Sequence, residues 1–261
     1  MAEKVELRRD GQIAQLLLNR PEVYNAVDLD MARQCVDYVI SLSADNSVRG
    51  VVISGEGKAF CAGGDLKWAL GFPHGPSAAF HELAARFHQM VLEIRRMRKP
   101  VIAAVNGIAA GAGFTVALAC DFRVMARSAI FQQAYTSNGL CIDGGGTFTL
   151  PRIVGLARAL EIAAFDRPIS SEQALAWGLT TEVVEDGRAL EEAMNMAREL
   201  ASRSLSSFGW SKHLLTDSFN TSFETHIERE RAGLCSCAEH PDATEGMRAF
   251  VEKRKPVFNV E

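Results

Sequence analysis

The 261-residue chain has no apolar stretch long enough to cross a bilayer. Its best candidate, residues 101–120, is broken by Asn106, Gly107, Gly111 and Gly113. The amino terminus, Met1-Ala2-Glu3-Lys4-Val5, enters a strand pattern at once and lacks the apolar core of a targeting segment. A cytoplasmic protein with no membrane partner is expected. Positive charge is not in excess either. Lys and Arg number 28 against 32 Asp and Glu, and a net charge of −4 offers no general attraction to nucleic acid. Cysteines at 35, 61, 120, 141, 235 and 237 share no framework spacing, so reduced thiols are expected. Cys235-Ser236-Cys237 also lacks the two-residue spacer of common zinc and redox motifs. Internal repeats and low-complexity linkers are absent. With 48% hydrophobic and 23% charged residues, the chain reads as one globular domain with a C-terminal extension.

Two further absences narrow the chemistry. His74, His81 and His88 recur every seven residues, but two helical turns rise by about 10.5 Å, too far for ligands of one ion. No metal site is expected. Gly55-Glu56-Gly57-Lys58 lacks the earlier glycine and the following Ser or Thr of a phosphate loop, and Gly107 to Gly113 lacks dinucleotide-fingerprint spacing.

What the sequence does contain is alternation. Val5–Leu7 and Ile13–Leu18 flank Asp10-Gly11, a hairpin signal, and Asp28 is a candidate N-cap for a helix through about Ser41. Strand patterns at 50–54, 101–105 and 122–125 are interleaved with helices near 77–97 and 111–119. Such alternation favours parallel pairing with helical crossovers. Beyond Gly155 the pattern is mainly helical: Leu179–Val184 looks extended, and 188–202, 208–217, 222–238 and 244–253 are amphipathic. A core over 1–200 and a helical region over 201–261 are expected.

Two strand signals run directly into small-residue segments. Val51-Val52-Ile53 precedes Phe60-Cys61-Ala62-Gly63-Gly64-Asp65-Leu66, and Val101–Val105 precedes Asn106-Gly107-Ile108-Ala109-Ala110-Gly111-Ala112-Gly113. Loops free of bulky side chains let two backbone N–H groups approach one ligand atom, the arrangement of an oxyanion hole. With Leu18-Asn19-Arg20-Pro21, Asn25-Ala26, Lys99-Pro100-Val101 through Cys120-Asp121, and Ser171–Leu179, these blocks resemble the crotonase (enoyl-CoA hydratase/isomerase) superfamily over nearly the whole chain. The resemblance implies an α/β fold: a crotonase (ClpP-like) spiral of ββα units with a C-terminal helical trimerisation region. It also implies acyl-CoA thioester substrates, no permanently bound cofactor beyond the coenzyme A of the substrate, and a homotrimer or hexamer.

On this resemblance the oxyanion donors are the N–H groups of Gly64 and Ala112. The two glutamates of typical hydratases match Thr115 and Tyr135, neither of which can be a carboxylate base. Eight residues on comes Asp143, where several isomerases of the superfamily place their working aspartate. The stretch from Asp143 to Gly155 resembles ring-1,2-epoxyphenylacetyl-CoA isomerases. Adding water across a double bond is commonly assisted by two groups, whereas moving a double bond needs one base, so a single carboxylate favours isomerisation. Asp143 alternatively caps a helix beginning near Gly144.

Other readings stay open. Hydrolytic 4-chlorobenzoyl-CoA dehalogenases pair an aspartate nucleophile at this position with a histidine base in the preceding long helix, and His88 matches it. An enoyl-CoA hydratase with an atypical site and a non-catalytic CoA-binding protein complete the alternatives. The resemblance implies coenzyme A threaded between Asn25-Ala26 and the loop of Ala62, Asp65 and Leu66, held through backbone contacts to adenine and pantetheine, with Gly111, Thr115 and Tyr135 about the acyl group. Arg20 and Lys58 are candidate phosphate contacts, and the basic segment 253–258 is a candidate for coenzyme A contacts across a subunit boundary. The acyl pocket is expected among Phe72, Met90, Phe114 and Tyr135.

Overall fold

A computed structural model describes residues 3–258. Met1 and Ala2, included above in the strand pattern, lie outside the described residues, as do 259–261 of the C-terminal region. β1 (Val5–Asp10) turns at Gly11 into β2 (Ile13–Leu18), and the two pair antiparallel with Asp10 opposite Ile13. α1 (Leu29–Ala44) follows, its first turn capped by Asp28, whose carboxylate accepts the Met31 N–H at 3.0 Å.

From there one pattern recurs: a strand in a large sheet, a three-residue strand in a small sheet, then a helix. β3 (Gly50–Gly55) and β4 (Ala59–Cys61) lead to α2 (Leu66–Leu70) and α3 (Gly75–Arg96). β5 (Val101–Val105) and β6 (Ile108–Ala110) lead to α4 (Ala112–Ala119). β7 (Phe122–Ala126) and β8 (Ile130–Gln132) lead to α5 (Gly146–Phe165). β9 (Ile169–Ser170) and α6 (Ser171–Ala176) precede β10 (Glu182–Val184) and α7 (Ala189–Ala201). The large sheet has the order β1-β2-β3-β5-β7-β10 and the small one β4-β6-β8-β9. Every pair after the hairpin is parallel except β8 with β9.

The apolar runs of β3 and β5 are explained by burial on both faces. Val51, Ile53, Val101, Ala103 and Val105 join Met31, Val36 and Ile94 in the main core, while Val52, Ile102 and Ala104 pack beneath Ala193 and Ala197 of α7. All eight residues of α4 are buried, as a helix apolar all round requires.

α8 (Leu205–Asp217), α9 (Phe223–Glu239) and α10 (Pro241–Val251) end the described chain. Lys212 fastens α8 to the core, its ammonium donating to Ile94 O at 2.9 Å and to Asp121 Oδ2 at 2.8 Å. Phe219, Phe223, Leu234 and Phe250 nonetheless stand exposed.

The parallel sheet, hairpin and helix order agree with expectation. The small sheet was not anticipated: segments read as loops contain β4 and β6, because three residues are too few to show a period. Only Glu182–Val184 of the extended 179–184 segment pairs, and α5 begins at Gly146.

Candidate active site

β4 and β6 pair in parallel, so both chains leave the small sheet on the same side and their following loops abut. Gly63 is what lets them touch. It has φ 106, and a Cβ added there would stand 3.0 Å from Ala110 O and 3.5 Å from Ala112 N. Ala112 is the first residue of α4, where an N–H has no partner within its own helix. Gly64 faces Val27 through a parallel bridge that engages its neighbours, Gly63 O and Asp65 N, and not its own N–H. Among the described residues neither the Gly64 nor the Ala112 N–H has an acceptor. Both residues line a cavity of about 260 Å³ with Ala62, Leu66, Gly111, Tyr135 and Asp143.

Asp143 is the one Asp or Glu among the described residues lining that cavity. It lies in the loop before α5 and its side chain caps nothing: the helix starts from Gly145 with no side-chain cap, and Gly146 N donates to the Asp143 backbone carbonyl at 3.0 Å. The capping role considered from sequence is therefore not the one adopted. Asp143 Oδ1 accepts the Tyr135 phenol at 2.6 Å. Burial first, and then the negative charge of Asp143, raises the phenol pKa above its ordinary value, so Tyr135 stays a neutral donor.

The other carboxylate oxygen meets His88, a residue of α3, with Nε2 at 3.3 Å from Oδ2. The same nitrogen lies 3.4 Å from the Gly144 N–H. One nitrogen cannot serve both at once. Protonated, Nε2 donates to Asp143; unprotonated, it accepts from Gly144. His88 borders a separate cavity of about 380 Å³ with Arg95, Gly144 and Phe148.

Several expected contacts are differently employed. Asn25 is fully buried, its side chain accepting from Arg20 N and donating to Glu56 O and Ala59 O, so it fastens two loops. Neither Asn25 nor Ala26 is on the cavity wall. Asp65 caps α2 through Trp68 N at 3.0 Å and pairs with Arg20 at 3.1 Å. Arg20 in turn holds Asp28 and Ala26 O, which makes it an internal clamp and not a phosphate contact. Arg254 of the basic C-terminal segment is held by Glu245 and Glu252. Thr115 is buried off the cavity wall, its hydroxyl donating to Ala112 O at 3.1 Å. It lies under Gly144, where an added Cβ would come within 2.7 Å of its oxygen.

The acyl-pocket expectation also needs correction. Of its four residues only Tyr135 lines the cavity; Phe114 packs on Phe131 in the core, Met90 is buried on the core face of α3, and Phe72 meets Trp68 edge-on. The wall is made instead by Phe80, Leu83, Ala84 and Phe87 of α3, with Asn138, Leu140 and Cys141. The α3 residues form an i, i+3, i+4, i+7 stripe, a signal present in the sequence that core packing explains equally well.

Comparison with known proteins agrees with this architecture. The family model for enoyl-CoA hydratase/isomerase matches residues 8–261. The chain is 36% identical over 247 residues to a 1,2-epoxyphenylacetyl-CoA isomerase of Escherichia coli K12, covering 94% of both chains. It is 31% identical over 248 residues to a 4-chlorobenzoyl coenzyme A dehalogenase-2 of an Arthrobacter species, covering 94% of this chain and 88% of that one. The crystal structure of an enoyl-CoA hydratase from Polaromonas sp. JS666 superposes with a TM-score of 0.89 at 34% identity, covering 97% of this chain and 98% of that one. The chain belongs to the enoyl-CoA hydratase/isomerase family, the crotonase superfamily, and has its α/β fold. It is an acyl-CoA-processing enzyme of that family. No described helix is long and apolar enough to cross a membrane.

Proposed function

We propose that this protein isomerises unsaturated or ring-bearing acyl-CoA thioesters, with Asp143 carrying the proton and the N–H groups of Gly64 and Ala112 holding the thioester oxygen. The carrying observation is a single carboxylate on the wall of a cavity that both unpaired N–H groups also line. In this reading ionised Asp143 removes a proton from C2 of a 3-enoyl thioester. The C–H electron pair moves into a dienolate, and its charge gathers on the thioester oxygen. Each N–H donor contributes roughly 3–4 kcal/mol there. The carboxyl group then returns the proton at C4, leaving the double bond between C2 and C3. The neutral phenol of Tyr135 steadies the carboxylate between turnovers. The resemblance to an isomerase at 36% identity supports the choice.

No resident cofactor or metal enters this scheme; coenzyme A arrives with the substrate, threading past Ala62, Leu66 and Gly111. The residues of 201–261 form the assembly region of a homotrimer or hexamer, and the enzyme works in the cytoplasm. Asp143→Asn is expected to cut double-bond migration by about 10²–10⁴-fold while a saturated acyl-CoA still binds. Full activity in that variant overturns the assignment.

One observation favours a second reading: His88 lies 3.3 Å from Asp143, as a base would beside a nucleophile. Asp143 would then attack a ring carbon of the acyl group that bears a halide, forming a C–O bond as halide leaves, and His88 would take a proton from the water that hydrolyses the resulting aspartyl ester. In that case His88→Ala traps a covalent adduct on Asp143, visible by mass spectrometry of the intact protein. The isomerase reading expects no adduct and substantial residual activity.

A further inference from the structure

We propose that Asp166, far from the cavity wall in sequence and absent from it in space, is a positioning residue that aims Tyr135 at Asp143. The inference rests on the proton-transfer role proposed for Asp143. Asp166 ends α5 with φ 49 and ψ 36, a left-handed position where glycine is the low-cost residue. An aspartate is held there, 8% exposed. Its Oδ1 accepts the Ala134 N–H at 2.7 Å, and Oδ2 accepts both the N–H (3.3 Å) and the hydroxyl of Ser137. Among the described residues it has no salt-bridge partner, so these donors satisfy its buried charge.

Ala134 is itself left-handed, with φ 52. Two strained non-glycine residues are thus joined by one hydrogen bond immediately before Tyr135. Such strain persists only where the surroundings hold it, and it gathers at functional sites. The backbone carbonyl of Asp166 also accepts Gln132 Nε2 at 3.0 Å, and Thr136 Oγ1 donates to Ala163 O at 2.7 Å. The turn carrying Tyr135 is therefore stapled to the C-terminal end of α5. The loop carrying Asp143 runs into the other end of α5, which consists of two helical segments meeting at a kink at Gly155 (φ 76, ψ 159). The two members of the 2.6 Å pair are therefore held at opposite ends of this kinked element, and the Asp166 carboxylate fixes the Tyr135 end.

Asp166→Gly tests this directly, because glycine fits the backbone and removes only the carboxylate. The expected result is a melting temperature near wild type, kcat on a 3-enoyl-CoA lowered about tenfold, and KM changed by less than about twofold. Asp166→Asn, which keeps an acceptor and tolerates the left-handed region, should recover most of the loss. In a Tyr135→Phe background, Asp166→Gly should cost nothing more, since the aimed group is already gone. A readout independent of turnover is the phenolate absorbance of Tyr135, whose neighbours are Asp143, Thr115 and Cys61. Loosened from its burial, the phenol should ionise at lower pH in Asp166→Gly. An equal loss in the Tyr135→Phe background, or an unmoved phenol titration, overturns the proposal; should the glycine variant not fold, the asparagine variant is read the same way. If the wild-type protein turns over no acyl-CoA, the proposed reaction fails, and the phenol titration still decides the role of Asp166.

Discussion

Tyr135 donates a 2.6 Å hydrogen bond to Asp143 from a phenol that is otherwise almost wholly enclosed. The phenol is a neutral donor, so Asp143 is left as the one Asp or Glu among the described residues lining the cavity. Tyr135→Phe should fold normally and lower kcat by about 10–100-fold, the worth of a hydrogen bond to a charged acceptor. A variant with unchanged kcat would show that the pair is decorative.

The phenol also makes a prediction in pH. Its pKa is raised in the folded protein, by burial first and then by Asp143, so the neutral form is favoured by folding. The sign follows: this contribution to stability is complete below the unfolded value of about 10 and is lost as pH rises through the higher folded value. Alkaline titration of phenolate absorbance should show one tyrosine resisting ionisation until the protein unfolds, and Tyr135→Phe should lack it.

Ala112→Pro addresses the oxyanion hole. Ala112 is the first residue of α4, a position proline tolerates, so the substitution removes one N–H and no helical hydrogen bond. A kcat loss of about 10²–10³-fold with near-native melting is expected. Native kcat would remove Ala112 from the hole.

Much of this was legible in the sequence, and the limits have physical causes. The apolar runs of β3 and β5 announce strands buried on both faces, and Asp28 announces a cap. Asp143, Tyr135 and His88 were singled out before their contacts were known, and they do meet. What could not be read was which polar side chains are spent inside the protein. Asn25, Asp65 and Arg20 look like ligand contacts in a one-dimensional string. Folding commits them to each other and to backbone carbonyls. Asp166 was missed because nothing in its local sequence signals that a helix end 29 residues downstream touches the Ser137 turn.

The Arg20 clamp has its own consequence for acid stability. Burial alone would raise the pKa of Asp28; the Lys4 hydrogen bond, the Met31 N–H and the Arg20 charge outweigh it and hold the pKa below the ordinary value. Its stabilisation is therefore present above an unfolded value of about 3.9 and lost as pH falls through the folded one. Thermal melts should decline more steeply with acid in wild type than in Asp28→Asn. Arg20, 14% exposed, leaves two partly buried carboxylates behind when removed, and Arg20→Ala should cost about 3 kcal/mol.

The central claim is that one carboxylate moves one proton, and isotope exchange tests it most directly. A 3-enoyl-CoA incubated with the enzyme in heavy water should give the 2-enoyl isomer, with deuterium at C4 or exchange at C2 and little free coenzyme A. All of this should vanish in Asp143→Asn. Free coenzyme A released as fast as substrate is lost, with no migration of the double bond, would mean that the thioester is hydrolysed and that Asp143 is not acting as the proton carrier proposed here.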